Sequence, residues 1–388
     1  MMKIRNIIIS ILLSTAIFAQ KAAQIRSMAD ESRDSLFYAT QSELWQKETK
    51  KDKKNVNAWF NYYRTERYLN FYNRSNFSEK GKNILEDMKK NAGETYEYFY
   101  LMYLQEGNNV EYGDYLLKAY KMSPERTLIY PSLASYADIT GNNELKKEIL
   151  QKWYKSGDYQ AWKYYKTYNS LIGLDKNAII FTNGDNDVYG KMLLQENKNI
   201  RTDIRQIALP YLFIDLYYKR LLKELNIEVV IEDIQAFSKK HKDLEGQKIW
   251  DAYQISRINY IVKNLKETSL YFDNGIQSFL HENYKDSLYL EGIVYKYSTD
   301  EYNNLAVMQN NFENNYLLDY VRIDFTNADK YAAKMNSTGS YLAFLTELYD
   351  SYKLSGDLNN QKKVEELLMI VGENIGMKDE LIEYLEEK

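Results

Sequence analysis

The sequence repeats itself with a shift of 34 residues in its first half, and this period constrains the fold more than any other feature. The first copy carries the apolar residues Tyr96, Phe99, Tyr100 and Tyr103, and the second carries Tyr130, Leu133, Ala134 and Ala137. Within each copy the spacing of three and four is that of one helix face. The segment 107–109, Gly-Asn-Asn, returns at 141–143 with the same shift. The period predicts consecutive pairs of helices.

Composition supports a helical chain and excludes several kinds of site. The 388 residues include only 3 prolines and 16 glycines, so the turns that a β-sandwich needs are scarce. There is no cysteine, which excludes disulfides, thiol catalysis and thiolate metal sites. Two histidines, His241 and His281, are too few for a histidine-rich metal centre. The 38 tyrosines fit half-buried helix faces, where aromatic stripes mainly fill the interior.

The 34-residue period resembles that of the tetratricopeptide repeat, a helix–turn–helix unit. Segments 57–93 and 339–372 predict further helix pairs, the latter around Gly356 and Asp357. Between the helical parts, short apolar runs at 178–182, 203–209, 227–231, 269–273 and 291–298 predict strands that alternate with helices. The predicted fold is mostly α, with tetratricopeptide-like helical repeats flanking a small α/β domain whose sheet is partly parallel.

The N-terminal residues predict export. Lys3 and Arg5 precede an apolar run, 7–18, that ends at Ala19, as in a cleaved secretory signal. The predicted organisation is a signal peptide at 1–19, a helical-repeat region at 20–175, an α/β domain at 176–325 and a C-terminal helical repeat at 326–388. A formal net charge of −4 without a concentrated basic stripe excludes a nucleic-acid partner. We expect a periplasmic or secreted protein with no stable membrane insertion after cleavage.

Two blocks in the central region carry a family resemblance. The first is FTNGDND at 181–187, followed by Gln195-Glu196 and by Arg201-Thr202-Asp203; the second is Leu290-Glu291-Gly292 with Tyr295-Lys296. Together they resemble the soluble tail of bacterial protein O-mannosyltransferase-like membrane proteins of the glycosyltransferase-C superfamily, over about 177–320. The membrane part of that family, where transfer chemistry would reside, is not matched. The resemblance therefore implies the fold of the tail and an exported location, and no glycosyl transfer.

One group of polar residues could carry chemistry. Asp185 and Asp187 follow a predicted strand, and with Asn183 and Asn186 they offer the oxygen ligands that Ca²⁺ or Mg²⁺ prefers. The favoured alternative is a polar turn, since Asn and Asp bind their own backbone and Gly184 permits a positive φ.

Two arginines are candidates for anion binding. Arg201 and Arg205 alternate with Asp203 along a predicted strand, so that all three would share one face. They would either bind an anion or form ion pairs, and pairing is favoured because alternating charge on a strand face is common.

The leading functional hypothesis is an exported scaffold or binding protein. Its helical repeats would engage a protein, peptide or glycan partner in the cell envelope, and one form of the hypothesis is an accessory role in envelope glycosylation. No cofactor is expected on this hypothesis. The alternative is a metal-dependent, glycan-active enzyme centred on Asp185 and Asp187, with Ca²⁺ or Mg²⁺ as the ion.

Overall fold

The computed structural model describes residues 21–28, 31, 33–265, 267–323 and 338–387. The chain is mostly helical and contains one five-stranded sheet, in agreement with the predicted fold class. Its contacts divide it into two compact units, Met1–Ile129 and Tyr130–Lys388. The change from helices to strands does not coincide with this division. It lies further along the chain, between a helix that ends at Ile172 and a strand that begins at Ile179. The predicted signal segment, 1–19, lies outside the described residues.

The described part of the first unit contains five α-helices, several of which begin at a polar cap. In chain order they are α1 (Ser35–Lys51), α2 (Val56–Asn73), α3 (Ser78–Ala92), α4 (Tyr96–Gln105) and α5 (Gly113–Met122). The side chains of Asp34, Asn55 and Thr95 each accept a hydrogen bond from the backbone N–H three residues later. These bonds satisfy N–H groups that have no partner within the helix, and so they set where α1, α2 and α4 begin.

Aromatic side chains form much of the interior of the first unit, as predicted. The rings on α4 are buried: Tyr96, Tyr98, Phe99, Tyr100 and Tyr103. The buried hydroxyl groups need hydrogen-bond partners. The Tyr63 hydroxyl donates to Oε1 of Gln105 at 2.8 Å, and the Tyr103 hydroxyl donates to the carbonyl of Asn108 at 3.0 Å. Burial also raises the pKa of Tyr63 well above its usual value.

The second unit begins with three helices, α6 (Tyr130–Thr140), α7 (Asn143–Ser156) and α8 (Ala161–Ile172). Helices α4 and α6 begin 34 residues apart. Gly107 and Gly141 both adopt a positive φ, of 70° and 73°, just after a helix, where only glycine is unstrained. The Asn142 side chain then caps α7. The period thus holds for the starts of α4 and α6 and for the glycine turns after them, whereas α5 and α7 begin at Gly113 and Asn143, 30 residues apart. The assignment as tetratricopeptide-like repeats stays a prediction.

Five short strands form a mixed sheet in the second unit. They are β1 (Ile179–Thr182), β2 (Arg205–Ala208), β3 (Leu270–Asp273), β4 (Leu288–Leu290) and β5 (Val294–Tyr297), in the spatial order β2-β1-β3-β5-β4. Strand β1 pairs in parallel with β2 and β3, whereas β3–β5 and β5–β4 are antiparallel. Every residue of β1 and β3 is buried, which is typical of parallel strands covered on both faces. The prediction of a partly parallel sheet is confirmed.

The helices of this part of the chain lie between strands in the sequence or after the last strand. They are α9 (Asp185–Lys198), α10 (Asp215–Glu224), α11 (Ile234–Lys240), α12 (Gln247–Asn264), α13 (Ser278–Tyr284) and α14 (Asn304–Asn310). The predicted helix at 211–225 begins only at Asp215, because Leu209–Phe213 forms a 3₁₀ turn that contains Pro210. The long helix predicted from Gly246 corresponds to α12.

The strand predicted at 227–231 is wrong. Residues 227–231 belong to no strand, and the Val229 and Val230 side chains are exposed. Tyrosines of α12 bind carbonyls of this stretch from the side: the Tyr260 hydroxyl donates to the Glu228 carbonyl at 3.0 Å, and the Tyr253 hydroxyl donates to the Glu232 carbonyl at 2.7 Å. These hydrogen bonds from side chains replace those that the backbone of a neighbouring strand would make. A run of β-branched residues does not show whether such a neighbouring strand exists.

Three C-terminal helices pack against the sheet domain rather than forming a separate layer. They are α15 (Leu342–Ser355), α16 (Leu358–Ile375) and α17 (Lys378–Glu387). Their buried faces share one apolar cluster with Leu290 and Ile293 of the β4–β5 hairpin. As predicted, Gly356 ends α15 with a φ of 75° and Asp357 caps α16. Beside this cluster the buried Tyr341 hydroxyl accepts from Nδ2 of Asn169 at 2.7 Å, and burial raises the pKa of Tyr341.

The β4–β5 hairpin depends on a glycine in the second family block. Gly292 has a φ of 114°, a conformation that other residues rarely adopt. A Cβ atom at this position would lie 2.1 Å from the hydroxyl oxygen of Tyr316. That hydroxyl donates to the Glu291 carbonyl at 3.2 Å, so it is not free to move away.

We expect Gly292→Ala to lower the free energy of unfolding by at least about 2 kcal/mol, because backbone strain and overpacking add together. Gly275→Ala is the matched control: a Cβ there meets nothing within 4 Å, and its cost should stay within about 0.5 kcal/mol. Chemical unfolding followed by circular dichroism measures both. Equal unfolding midpoints for the two variants would contradict the role given to Gly292.

Candidate functional site

The predicted site lies at the carboxyl ends of the parallel strands. Asn183 and Gly184 follow β1, and α9 begins at Asp185. In the sheet β1 lies between β2 and β3: the chain runs from β1 through α9 to β2 on one side, and the later strand β3 lies on the other side. Open α/β sheets bind ligands at such a switch point. The backbone of Asp185 and Asn186 belongs to α9, whereas their side chains lie outside the described residues.

A buried ion pair joins α9 to β3 at this switch point. Nζ of Lys191, which is 2% exposed, lies 2.9 Å from Oδ2 and 3.1 Å from Oδ1 of Asp273, which is 7% exposed. The same ammonium donates to the Asp187 carbonyl at 3.1 Å. Burial raises the pKa of Asp273, and the Lys191 ammonium acts in the opposite direction. The sequence analysis did not single out either residue, because nothing in their spacing reveals the pairing.

The described carboxylates at this end of the sheet already have cationic partners. Asp187 lies 3.5 Å from Nζ of Lys166, and Asp273 is held by Lys191. Among the residues that the structure describes, no group of three or more His, Cys, Asp or Glu side chains is arranged to hold a metal ion. The ammonium groups occupy the neighbourhood in which a cation would need free oxygens. A metal site at Asp185 and Asp187 stays a prediction.

Arg201 and Asp203 lie in turns before β2, and the prediction that they continue a strand is wrong. Arg201 has a φ of 47°, and its guanidinium donates to the carbonyls of Leu171 at 2.9 Å and Leu174 at 2.8 Å, where α8 ends. It also pairs with Asp203, and these hydrogen bonds hold the pKa of the Asp203 carboxyl well below its usual range. Arg201 therefore ties the end of α8 to the start of β2.

Arg205 lies at the amino ends of the parallel strands, whereas Asn183 follows the carboxyl end of β1. In the sheet register Arg205 is the partner of Ile179, the first residue of β1. Its guanidinium lies 2.7 Å from the Glu224 carboxylate. The three residue steps from Ile179 to Thr182 span about 10 Å. Arg201 and Arg205, the candidates for anion binding, thus form ion pairs, which is the favoured alternative, and neither lies at the carboxyl ends of the strands.

The second family block also has structural contacts. Glu291 is 2% exposed, and its Oε1 accepts from the Tyr302 hydroxyl at 2.5 Å. Burial raises the pKa of Glu291. Lys296 lies 2.7 Å from Oδ2 of Asp175, in the loop that precedes β1. These contacts connect the β4–β5 hairpin to the rest of the sheet domain.

The first unit contains a cleft that the sequence analysis missed. Its volume is about 730 Å³, and it lies between the end of α2, the loop to α3 and the end of α4. Four aromatic residues line it: Tyr63, Phe71, Tyr72 and Phe77. Two arginines, Arg67 and Arg74, line it as well, and we call it the aromatic–arginine cleft. Its size lies within the range of pockets that bind small ligands or short segments.

The two arginines are held in different ways. Nη1 of Arg67 donates to the Leu104 carbonyl at 3.0 Å, which orients its guanidinium along the cleft. Arg74 follows α2 with a φ of 50°, and its backbone N–H donates to the carbonyls of Asn70 and Phe71. Its side chain is exposed and has no ion-pair partner among the described residues. Arg74 thus presents its charge at the mouth of the cleft from a fixed backbone position.

One feature of the sequence could have indicated this cleft. Phe71 and Tyr72 are adjacent in a helix, so their side chains point about 100° apart and cannot both face one core. Phe71 is 69% exposed and Tyr72 is 37% exposed. An exposed phenylalanine beside a second exposed ring, directly before a chain reversal, is a better indicator of a binding surface than the aromatic content alone.

We expect Asp273→Asn to lower the free energy of unfolding by about 3 kcal/mol, because it leaves the Lys191 ammonium buried without a counter-charge. Asp187→Asn is the matched control. It removes a partner of the half-exposed Lys166 and should cost less than about 1 kcal/mol. Urea unfolding of the three proteins measures the difference. A small, equal effect of both changes would show that the buried pair does not hold α9 against β3.

A family model described as TMEM260-associated domain 2 matches residues 164–374. No curated protein matches the chain. The matched range extends from α8 into α16, so it contains the whole sheet, the Lys191–Asp273 pair and the β4–β5 hairpin. This family is related to the protein O-mannosyltransferase-like family that the two sequence blocks resemble, without establishing membership of the latter. Because the match covers more than half of the 388 residues, the chain belongs to the family of the TMEM260-associated domain 2.

Proposed function

We propose that this chain is an exported binding protein of the cell envelope that engages its partner through the aromatic–arginine cleft. The observation that supports the proposal is the cleft itself, in which two exposed aromatic rings and two arginine side chains lie together on a helical scaffold. Exposed aromatic side chains and arginines are the residues that contribute most to binding at protein surfaces. A helical scaffold that presents such a cleft needs no catalytic group.

The export part of the proposal rests on the N-terminal sequence. Lys3, Arg5 and the apolar run to Ala19 have the order of a secretory signal, and cleavage would release a periplasmic chain. None of the helices in the described ranges combines the length and apolar composition that a membrane span requires. An accessory role beside an envelope glycosylation enzyme is the form of this proposal that the family relationship suggests.

The alternative, a metal-dependent glycan-active enzyme, has less support from the geometry. It requires free carboxylate oxygens at the end of β1. In the described residues there, Asp187 and Asp273 face Lys166 and Lys191 instead. We therefore favour binding over catalysis.

The cleft can be tested by placing a photo-crosslinking amino acid at Phe71 in the full chain, expressed in its native cells. We expect a covalent adduct in the periplasmic fraction, because a partner seated in the cleft lies against this ring. Leu36 of α1 is the matched control: it is 74% exposed, belongs to the same unit and does not line the cleft. Gel shift and mass spectrometry detect the adduct. Equal labelling at both positions, or none at Phe71, would contradict the proposal.

A further inference from the structure

We propose that the aromatic–arginine cleft selects an acidic peptide segment that carries a bulky apolar side chain. This inference rests on the proposed function, since it names the ligand of the same cleft. It follows from the charges that line the cleft, from the hydrogen bonds already made by its amide groups, and from the arrangement of its rings.

The charge of the cleft is opposite to that of the chain. The protein carries 55 acidic and 51 basic residues, yet the described lining of the cleft contains Arg67 and Arg74 and no carboxylate. Glu106, which follows Gln105 in the chain, does not line the cleft. Arg74 has no counter-charge among the described residues, so a ligand carboxylate would supply one. A guanidinium binds a carboxylate with two parallel hydrogen bonds.

The two side-chain amides of the cleft already make hydrogen bonds within the protein. Nδ2 of Asn70 donates to the Glu66 carbonyl at 2.8 Å, and its Oδ1 accepts from the Ser75 hydroxyl. Oε1 of Gln105 accepts from the Tyr63 hydroxyl at 2.8 Å, and its Nε2 donates to the Ser78 carbonyl at 3.0 Å. Side-chain amides are among the groups that recognise the hydroxyls of a neutral sugar. Each amide already uses part of its hydrogen-bonding capacity within the protein, as Arg67 does on the Leu104 carbonyl, whereas the Arg74 side chain has no ion-pair partner among the described residues and offers the strongest donor to a ligand.

The aromatic rings of the cleft do not form one flat platform. Phe71 and Tyr72 meet edge to face, with an interplanar angle of 84°, and Tyr63 and Phe77 meet at 74°. Phe71 and Tyr72 are the exposed rings of the four, whereas Tyr63 is buried, so an apolar side chain of the ligand would contact the Phe71–Tyr72 pair, which offers no shared flat face for a sugar ring. A peptide can present a carboxylate and a bulky apolar group within two or three residues, which matches guanidinium and rings in one cleft.

Peptide display on the immobilised mature chain tests the inference. Random heptapeptides would be selected in parallel on the wild type, on Arg74→Glu, and on Lys47→Glu. Lys47 is exposed on α1, does not line the cleft and serves as the matched control for the charge reversal. We expect the wild type and Lys47→Glu to enrich peptides that combine Asp or Glu with an aromatic or leucine residue. The best peptide, synthesised with a fluorescent label, should bind Arg74→Glu at least about tenfold more weakly, because a charged hydrogen bond becomes a repulsion.

Each other result decides against part of the argument. Enrichment of neutral apolar peptides that bind Arg74→Glu equally well would overturn the acidic selectivity while leaving the cleft as a peptide site. No enrichment, together with an adduct at Phe71 in cells or with binding to a panel of neutral oligosaccharides, would overturn the peptide assignment and leave the proposed function standing. No enrichment and no adduct would overturn both.

Discussion

The ion pair between Lys191 and Asp273 fixes the centre of the sheet domain. Both charges are withdrawn from water, and this desolvation is tolerated only because each faces the other at 2.9 Å. Lys191 lies on the helix that follows β1 and Asp273 ends β3, so the pair holds the β1–α9 unit against its parallel neighbour. The third bond of the ammonium, to the Asp187 carbonyl, fixes the first turn of that helix. The first turn of α9, which carries Asp187, is thus bonded to a lysine of the next turn of the same helix.

The fold was predictable where one short segment determines its own structure. Helix pairs and the turn at Gly356 follow from local spacing, and the short, mostly apolar runs of β1 and β3 indicate buried strands. The prediction of a strand at 227–231 is wrong because β-branched residues form a strand only where another strand can pair with them. Here the hydroxyls of tyrosines of α12 bind the carbonyls instead. Arg201 misled because alternation of charge is a local pattern, whereas its carbonyl partners lie about 30 positions earlier in the chain.

The candidate sites divide in the same way. The position of Asn183 and Asp187 at the end of a strand could be predicted, but the partners of Asp187 and Asp273 come from separate helices. The cleft of the first unit was hidden for a related reason. Its character depends on which amides are already bonded, and Gln105 meets Tyr63 only after α2 and α4 have packed. A sequence shows which hydrogen-bond donors a chain contains, whereas the folded structure determines which of them remain available to a ligand.

The buried tyrosine hydroxyls set an upper limit on the alkaline conditions that this protein can withstand. Burial raises the pKa of residues such as Tyr63 and Tyr341 in the folded state, whereas a tyrosine in the unfolded chain ionises near pH 10. Above that pH the unfolded chain releases protons that the folded chain retains, so each such residue shifts the equilibrium toward unfolding. Their stabilising effect is complete below pH 10 and is lost as the pH rises. Reagents that attack phenolate would therefore modify these rings only after the core has opened.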